Sequence, residues 1–484
     1  MLSILVCHSY YLRLDQKQVL RAKPYPPLAT LQVVSMLRQA GHRVSFFDAM
    51  LAEEVSDYTR VLEAERPQLV LLYEDNYNFL SKMCLGTMRR AASRMIATAR
   101  EQGARVIAAG PDVTDAPAAY LKAGADFALI GEGLGALLEL LPRVEAGPER
   151  DGAALAQGIG GIAVTDGGQL AIRPGSKLLP IAGDVGRAAW DLVDMERYRT
   201  MWVKAHGYFS LNMAASRGCP FRCAWCAKPI WGNQYAQRDP GEVADEMAYL
   251  KRSFKPDHIW FADDIFGFRV EWVAAFAAAV GAAGAMIPFT IQTRADLVSV
   301  RMAEALRDAG CREAWIGAES GSQRVLDAMN KGTTVAELLR ARERLKEVGI
   351  RVGFFIQLGY MGEDLPDILA TRELLEQACP DEIGVSVSYP LPGTRFYELV
   401  KAQLGGKTRW HESNDLDMMF QGTYSSIFYR SIRNLLHDQV DLQNAAREDT
   451  PGIEATRRAI EQRWQDLVSR EAQFRSRGPS AALA

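Results

Sequence analysis

The chain has 484 residues, of which 48% are hydrophobic and 24% are charged, and its formal net charge is −3. This length predicts two or three domains, and the composition is that of an ordinary globular protein. Such a near-neutral balance offers no extended basic surface, which argues against nucleic acid as a partner.

The N-terminus and the cysteine usage predict a cytoplasmic protein without a membrane span. The first residues, MLSILVCHSYY, carry no basic leader. No stretch approaches the roughly 20 apolar residues that a bilayer requires. The seven cysteines are an odd number, and three of them fall within eight positions. This spacing is typical of a metal site in a reducing compartment and not of a disulfide framework.

The first 145 residues alternate short apolar runs with helical patterns, which predicts a doubly wound, Rossmann-like parallel sheet in an α/β domain. We expect strands at Ser3–His8, Val44–Ala49, Leu69–Glu74, Arg105–Gly110 and Phe127–Gly131. We expect helices near residues 28–40, 53–65, 85–103, 116–123 and 134–141. Ligands of such sheets bind at the carboxyl ends of the strands.

Residues 146–205 lose this alternation, and Asp166-Gly167-Gly168 favours a tight reversal, so we expect a linker that contains a hairpin. Residues 206–400 repeat six strand–helix units, which predicts a partial, TIM-like (β/α)6 barrel. Its expected strands are Ser210–Ser216, His258–Asp264, Pro288–Arg294, Glu313–Glu319, Val352–Tyr360 and Glu382–Pro390. Residues 401–484 predict a mostly helical C-terminal cap, with a helix over Ile453–Phe474 and a disordered tail.

The segment AASRGCPFRCAWCAKPIWG follows the first barrel strand and spaces Cys219, Cys223 and Cys226 as CxxxCxxC. A 4Fe–4S cluster usually takes four thiolates, so three leave one iron open to an exogenous ligand. S-adenosylmethionine (SAM) can chelate such an iron through its amino and carboxylate groups, and an electron from the cluster then releases a 5′-deoxyadenosyl radical. Zinc is the alternative, but a structural zinc normally takes four protein ligands, and His206 and His258 lie a strand or more away.

Several further blocks agree with this interpretation in order and spacing. FADDIF follows the second barrel strand, TRAD the third, GAESGSQRVLDAMNKG the fourth and YPLPGTRFYE the sixth, and AWDLVDMERY precedes the barrel. Together with the cysteine loop they resemble the radical SAM superfamily over roughly residues 1–400. Within it they resemble the cobalamin-binding-domain subfamily, which includes class B radical SAM methylases and anaerobic magnesium-protoporphyrin monomethyl ester cyclases. The resemblance implies a 4Fe–4S cluster, SAM and cobalamin as cofactors.

The resemblance also implies roles for residues at the strand ends. Cys219, Cys223 and Cys226 would ligate the cluster, and Glu319 would bind the amino group or ribose of SAM. Arg294 would bind the SAM carboxylate, because a guanidinium offers paired donors. A surface ion pair is the alternative for Glu319 and Arg294. The remaining candidates each keep an alternative: Asp263 and Asp264 (ribose, or a cap of the following helix) and Gln357 (SAM, or polar core).

Cobalamin would bind the carboxyl edge of the front sheet, near a set of strand-end residues: Glu74, Tyr77, Gly110, Pro111, Gly131, Glu132 and Gly133. Glycines at strand-to-helix turns are common without any ligand, which is the alternative for the three glycines. The chain has no DxHxxG loop, so we expect cobalamin without a histidine lower ligand. The isolated cysteines Cys7, Cys84, Cys311 and Cys379 are expected to be small buried apolar residues.

Three reactions remain open on the sequence alone. The first is methylation of an unactivated carbon of a small metabolite, with methylcobalamin as the donor. The second is radical ring formation, ring contraction or oxidative cyclisation without methyl transfer, and the third is a non-catalytic binding protein. The cluster would need a flavodoxin or ferredoxin as electron donor. Tyr235, Tyr360 and Tyr389 are expected to line an aromatic pocket, and Tyr424 and Tyr429 either a lid or a cap.

Overall fold

A computed structural model describes residues 1–78, 86–146, 151–175, 187–226, 230, 233–405, 416–447 and 452–476. The chain divides into two compact units. The first comprises Met1–Pro220 with Lys228–Asp264, and the second comprises Phe221–Ala227 with Ile265–Ala484.

A seven-stranded sheet organises the front of the first unit, in the order β2-β1-β3-β4-β5-β6-β7. Its strands are β1 (Ser3–Cys7), β2 (Arg43–Phe47), β3 (Leu69–Tyr73), β4 (Arg105–Ala109), β5 (Phe127–Leu129), β6 (Ile162–Asp166) and β7 (Gln169–Arg173). The first five strands pair in parallel. The predicted hairpin forms at Gly167 and Gly168, and β6 then pairs antiparallel with β5. The hairpin therefore extends the front sheet as its edge.

Helices cover both faces of this sheet. They are α1 (Gln16–Arg21), α2 (Leu28–Gln39), α3 (Val55–Glu65), α4 (Gly86–Glu101), α5 (Pro111–Asp115), α6 (Pro117–Lys122), α7 (Leu134–Ala146) and α8 (Gly152–Leu155). Alternate residues of one strand enter different cores: Val6 joins α2 and α7, whereas Leu5 joins α3 and α4. Burial on both faces explains why β3 reads LVLLY without polar alternation.

The first unit continues with a helix that the sequence did not predict, α9 (Met195–His206). The Asp194 side chain accepts the Arg197 N–H at its start, and Gly207 ends it in the left-handed region. Four short strands and a helix complete the unit: β8 (Ser210–Met213), β9 (Ser216–Gly218), β10 (Tyr235–Gln237), α10 (Pro240–Phe254) and β11 (His258–Phe261). β8 and β11 pair in parallel.

The second unit contains four parallel strands in chain order: β12 (Phe289–Thr293), β13 (Cys311–Glu319), β14 (Arg351–Leu358) and β15 (Glu382–Val387). Helices α11 (Val270–Ala282), α12 (Val300–Ala309), α13 (Gln323–Ala328), α14 (Val335–Glu347), α15 (Leu365–Ala378) and α16 (Arg395–Val400) alternate with them or follow them. A register shift lies between Gly317 and Glu319, where β13 ends. Each strand therefore delivers its last side chains to one edge of the sheet.

Two long helices form the C-terminal region of the second unit, α17 (Ser426–Arg447) and α18 (Ile453–Ser469). The amphipathic pattern of α17 buries Phe428, Ile432 and Leu436 at helical spacing. Its far end is fixed by Asn444, whose amide donates to the Asp381 carbonyl at 3.0 Å. The described part of the C-terminal region is therefore mostly helical, as expected. Most of the predicted disordered tail lies outside the described residues.

No helix in the described ranges is both long enough and apolar enough to cross a bilayer.

The buried carboxyl of Glu363 makes the stability of the second unit depend on pH. Glu363 follows β14 and is completely buried, and its carboxylate accepts the Gly359 N–H at 2.5 Å. Burial raises the pKa of Glu363 to about 8. An unfolded glutamate ionises near about 4.3, so the folded chain binds the extra proton between these values. The stabilisation from the neutral carboxyl is therefore fully present below the lower pKa and is lost as the pH rises through the upper one.

We expect Glu363→Gln, which cannot ionise, to keep its melting temperature between pH 6 and pH 9 better than the wild type. Glu304→Gln, an exposed change on α12, is the matched control and should follow the wild type. Melting curves at four pH values test this. An identical fall for Glu363→Gln and the wild type would contradict the expectation.

Candidate cluster and cofactor site

Two short strands close the base of the loop that carries the cysteines. β9 pairs antiparallel with β10, with Arg217 opposite Ala236. Cys219 follows β9 directly and is buried. The ladder therefore fixes where the first cysteine leaves the strand.

Asp263 holds this base from the end of β11. Its carboxylate accepts the Ser216 hydroxyl at 2.5 Å and the Ala215 N–H at 3.0 Å. Burial raises the pKa of Asp263 to about 7, although these hydrogen bonds oppose the rise. Asp264 is half-buried. The residue before α11 is Arg269, so the alternative that one of the two aspartates caps that helix is wrong. A ribose contact for either remains a prediction.

Hydrogen bonds of Arg238 also hold the base of the loop. Its guanidinium donates to the Ala214 carbonyl at 3.0 Å and to the Glu246 carboxylate at 2.6 Å. The other Glu246 oxygen accepts the Trp190 indole N–H at 2.9 Å. All the charges are buried and paired, which is the condition under which a buried ion pair is tolerated.

Glu132, beyond the end of β5 in the front sheet, also holds the base of the loop. Glu132, predicted to contact cobalamin, forms a buried ion pair with Arg217, two residues before Cys219. Its backbone carbonyl accepts the Tyr73 hydroxyl at 2.8 Å. The Glu132 side chain therefore holds the start of the cysteine loop. A cobalamin contact for it remains a prediction.

The second and third cysteines lie in the second unit, where backbone hydrogen bonds hold their segment. Ala224, between them, donates its N–H to the Met329 carbonyl at 2.7 Å, and its own carbonyl accepts the Phe396 N–H at 2.9 Å. Asn330 donates its side-chain amide to the Arg222 carbonyl at 2.7 Å. Cys223 and Cys226 are half-buried.

The donor set fits an iron–sulfur cluster by its chemistry. Across the described residues, no three cysteine, histidine or acidic side chains converge as a preformed metal site. The isolated cysteines are unsuited to the task, because burial raises the pKa of Cys7 and Cys311 and disfavours the thiolate. Cys379 is half-buried, not fully buried as expected, and Cys84 lies outside the described residues.

Glu319 and Lys331 form a buried ion pair at the end of β13, with the Lys331 ammonium 2.7 Å from the Glu319 carboxylate. Burial alone would lower the pKa of Lys331, but the charges of Glu319 and Cys223 hold it above its ordinary value. A Cβ on Gly317 would lie 2.7 Å from both charged groups. A side chain at 317 would therefore displace the paired groups. The alternative of a surface pair for Glu319 is wrong, because both partners are buried.

Arg294, at the end of β12, is also buried, so it is not part of a surface ion pair either. Its guanidinium makes a two-point contact with Asp296, at 2.9 and 3.1 Å. Whether it also binds the SAM carboxylate remains a prediction.

Gln357 and Ser388 are polar groups that lack a protein partner. The Gln357 side-chain oxygen and the Ser388 hydroxyl oxygen are buried, and neither has a hydrogen-bond partner within the described part of the chain. Gln357 pairs in register with Ser386, so Ser388, two residues further, faces the same side of the sheet. Buried polar groups are nearly always hydrogen-bonded, so these two atoms fit a polar ligand at the carboxyl ends of β14 and β15.

The predicted cobalamin edge of the front sheet is rich in buried polar groups. Glu74 ends β3, and its carboxylate accepts both the N–H and the hydroxyl of Ser9, at 3.0 and 2.6 Å. Burial raises the pKa of Glu74. Gly110 has φ +140°, and a Cβ there would lie 2.6 Å from the Glu74 Cβ. Contacts within the chain thus suffice to explain glycine at 110.

The remaining front-edge candidates also have internal contacts. Pro111 begins the short helix α5, and the Gly131 N–H donates to the Thr114 hydroxyl at 3.0 Å. A Cβ on Gly133 would lie 2.6 Å from the Leu129 Cβ. Tyr77 is half-buried against the front core. Their cobalamin contacts remain predictions.

One buried atom on this edge lacks a protein partner among the residues described. His8 and His42, the two histidines before residue 200, both accept backbone hydrogen bonds. The Asn76 side-chain oxygen is buried without a hydrogen-bond partner among the residues described, which fits a polar ligand there. The Ala49 N–H donates to His8 Nε2 at 3.1 Å, and the Leu2 N–H donates to His42 Nδ1 at 3.2 Å.

The predicted aromatic residues are either buried or half-buried. Tyr360 is buried, stacks on Phe396 at 4.8 Å and donates to the Ala328 carbonyl at 3.2 Å, so it is a packing residue and not a pocket wall. Tyr235 and Tyr389 are half-buried. The remaining two, Tyr424 and Tyr429, are buried in the C-terminal region.

Comparisons with known proteins agree with this arrangement. A family model described as the radical SAM superfamily matches residues 213–375. An uncharacterized methyltransferase of Pyrococcus horikoshii is 25% identical over 379 residues, which is 77% of this chain and 78% of that protein. An anaerobic magnesium-protoporphyrin IX monomethyl ester cyclase of Rubrivivax gelatinosus is 24% identical over 220 residues, covering 45% of this chain and 38% of the cyclase.

A solved structure shares the fold over most of the chain. It is the radical S-adenosylmethionine methyltransferase TsrM from Kitasatospora setae, solved with cobalamin and a [4Fe-4S] cluster. The TM-score is 0.66 at 18% identity, over 84% of this chain and 76% of TsrM. The likeness confirms the predicted fold class of a doubly wound front domain, a partial barrel and a helical C-terminal region.

A radical SAM domain implies a 4Fe–4S cluster and SAM as its cofactors. The matched residues begin in β8 and extend into α15, and they include all three cysteines with Arg294 and Glu319. We conclude that residues 213–375 form a radical SAM domain.

Proposed function

We propose that this enzyme methylates an unactivated carbon of a small molecule and uses cobalamin as the methyl carrier. The observation that carries the proposal is the Pyrococcus methyltransferase, whose similarity extends over 379 residues. That length exceeds either compact unit, so the similarity extends into both of them. A doubly wound front domain would serve to bind the cobalamin. The Asn76 side-chain oxygen, which has no hydrogen-bond partner among the described residues, would provide a polar contact for it.

Cys219, Cys223 and Cys226 would hold the cluster as thiolates. Reductive cleavage of SAM at a bound cluster supplies a 5′-deoxyadenosyl radical that abstracts hydrogen from the substrate. The chain's own contribution is to position and shield this centre. β9 and β10 fix the first cysteine, and hydrogen bonds of Ala224 fix the segment between the other two. A flavodoxin or ferredoxin would supply the electron, and a reducing cytoplasm suits a cluster of this kind.

The Glu319–Lys331 pair is complementary to the amino-acid end of SAM. The amino group of SAM would donate a hydrogen bond to the Glu319 carboxylate, and the SAM carboxylate would accept one from the Lys331 ammonium, while the two buried side chains stay paired with each other. Gln357 and Ser388 offer unpartnered polar atoms at neighbouring strand ends. Asp263 or Asp264 would contact the ribose only if the loop-base hydrogen bonds allow it.

Labelled methyl groups test the proposal without knowledge of the substrate. The protein is reconstituted anaerobically with iron, sulfide and hydroxocobalamin, desalted, reduced, and incubated with methyl-labelled SAM. We expect cobalt to remain with the protein and label to enter the corrinoid-containing fraction. Absence of cobalt after desalting, in a protein that retains its iron, would contradict the proposal.

Ring formation, ring contraction or oxidative cyclisation is the second candidate, and the cyclase of Rubrivivax gelatinosus motivates it. This chain spans well under half of that cyclase, so the likeness reaches only part of it. The same labelling separates the two candidates. Hydrogen abstraction with no labelled methyl in either corrinoid or product would favour ring chemistry.

A further inference from the structure

The hydrogen bonds of Arg294 account for nearly all of its donors. The Nε and one Nη2 hydrogen point to Asp296, at 2.9 and 3.1 Å, and Nη2 also donates to the Lys331 carbonyl at 2.8 Å. Nη1 lies 3.7 Å from the Cys223 sulfur. A guanidinium has five N–H donors, so a single one, on Nη1, remains. No parallel pair of donors is left for a carboxylate.

The face of the guanidinium is covered as well. Its central carbon lies 3.7 Å from the centre of the Phe221 ring. Phe221 precedes Cys223 by two residues, so Arg294 contacts the cysteine loop at two points. Stacking on an aromatic face adds to the hydrogen bonds in fixing the plane of the guanidinium.

Two cations, each paired with a carboxylate, act on Cys223. Arg294 donates toward its sulfur, and the Lys331 ammonium interacts with the same thiol electrostatically. Asp296 and Glu319 each pair with one of these cations, which makes burial of both possible. Hydrogen bonds and charges at the sulfur atoms of a cluster set its reduction potential.

We propose that Arg294 is a positioning residue for the cluster, which holds Cys223 through an N–H···S contact and raises the reduction potential, and does not bind the SAM carboxylate. The inference rests on the proposed cluster site. Reduction adds negative charge to the cluster, and a cation beside a ligating sulfur stabilises that added charge. The SAM carboxylate is left to Lys331.

Two variants and one control separate the two possible roles. Arg294→Gln keeps amide donors but removes the charge, and Asp296→Asn loosens the orientation of an intact Arg294. Arg307→Gln removes an arginine that pairs with Asp308 on the outside of α12. Each protein is reconstituted anaerobically, and the midpoint potential of its cluster is measured by redox titration with electron paramagnetic resonance. SAM affinity is measured separately by equilibrium dialysis on the same samples.

We expect the potential to become more negative in Arg294→Gln, to move less in the same direction in Asp296→Asn, and to stay unchanged in Arg307→Gln. SAM affinity should fall by less than the tenfold or so that follows loss of a direct charged hydrogen bond. A larger loss of affinity with an unchanged potential would overturn the inference and assign Arg294 to the carboxylate.

If Arg294→Gln assembles no cluster, the Asp296→Asn variant tests the inference instead. An unchanged midpoint potential of the cluster in Asp296→Asn would then overturn the inference. A wild-type protein that assembles no cluster is a different result. It would overturn the proposed function itself, and the inference with it.

Discussion

Replacing Cys219, Cys223 or Cys226 with alanine is expected to abolish reductive cleavage of SAM. Each thiolate is one of only three in the loop, so removal of any one leaves two irons without a protein ligand. We expect loss of most bound iron and sulfide after anaerobic reconstitution, and 5′-deoxyadenosine at the level of a protein-free mixture. Iron analysis, visible absorbance and chromatography of the nucleoside products measure these effects.

Cys379→Ser is the matched control, because Cys379 is also half-buried but lies at the end of α15. It should retain iron and form 5′-deoxyadenosine as the wild type does. A cysteine-loop variant that keeps a full cluster and cleaves SAM normally would contradict the assignment of that cysteine as a cluster ligand. Equal loss in Cys379→Ser would show that the effect arises from folding.

The sequence predicted the five parallel strands of the front sheet because their signal is local. β3 and β4 are short apolar runs between helical patterns, and they were found within one residue of their ends. The errors are consistent: residues such as Glu74 and Gly110 were included in strands, although the ladder stops before them. The side chain of a strand-end residue such as Glu74 bonds a neighbouring segment. The pattern of hydrophobic residues does not show where the backbone pairing of a strand ends.

Longer-range pairing was not predictable in the same way. The hairpin of β6 and β7 was expected from its glycines, but its attachment to β5 depends on which sheet edge is free. Helix α17 was missed although Phe428, Ile432 and Leu436 recur at helical spacing. The aromatic residues around its start obscured a pattern that a count of every fourth residue would have found.

The site shows the same limit. The cysteine spacing predicted the cluster ligands, and the strand ends predicted Glu319 and Arg294 as site residues. Lys331 was missed, because only the return of the chain after α13 brings it to Glu319. A lysine in a loop gives no sequence signal of burial, since most are solvated. Glycine at 317, two residues before Glu319, was the one available hint, because a residue without a side chain leaves room beside the Glu319 carboxylate.

Lys331→Met is expected to destabilise the second unit and to remove SAM binding. It leaves the buried Glu319 carboxylate without a partner, and breaking a buried ion pair on one side costs about 3–5 kcal/mol. Glu319→Gln should also lower the melting temperature, because it leaves the Lys331 ammonium unpaired. The double variant Glu319→Gln/Lys331→Met should melt above Lys331→Met alone, since neither charge is then buried unpaired.

The double variant separates stability from binding. If the pair receives the two ends of SAM, the double variant recovers stability but not SAM affinity, whereas a purely structural pair would recover both. Lys346→Met, an exposed change on α14, is the control and should leave both quantities unchanged. Melting curves and equilibrium dialysis with SAM are measured on each protein under one set of conditions. Wild-type affinity in the double variant would place the amino-acid end of SAM elsewhere in the barrel.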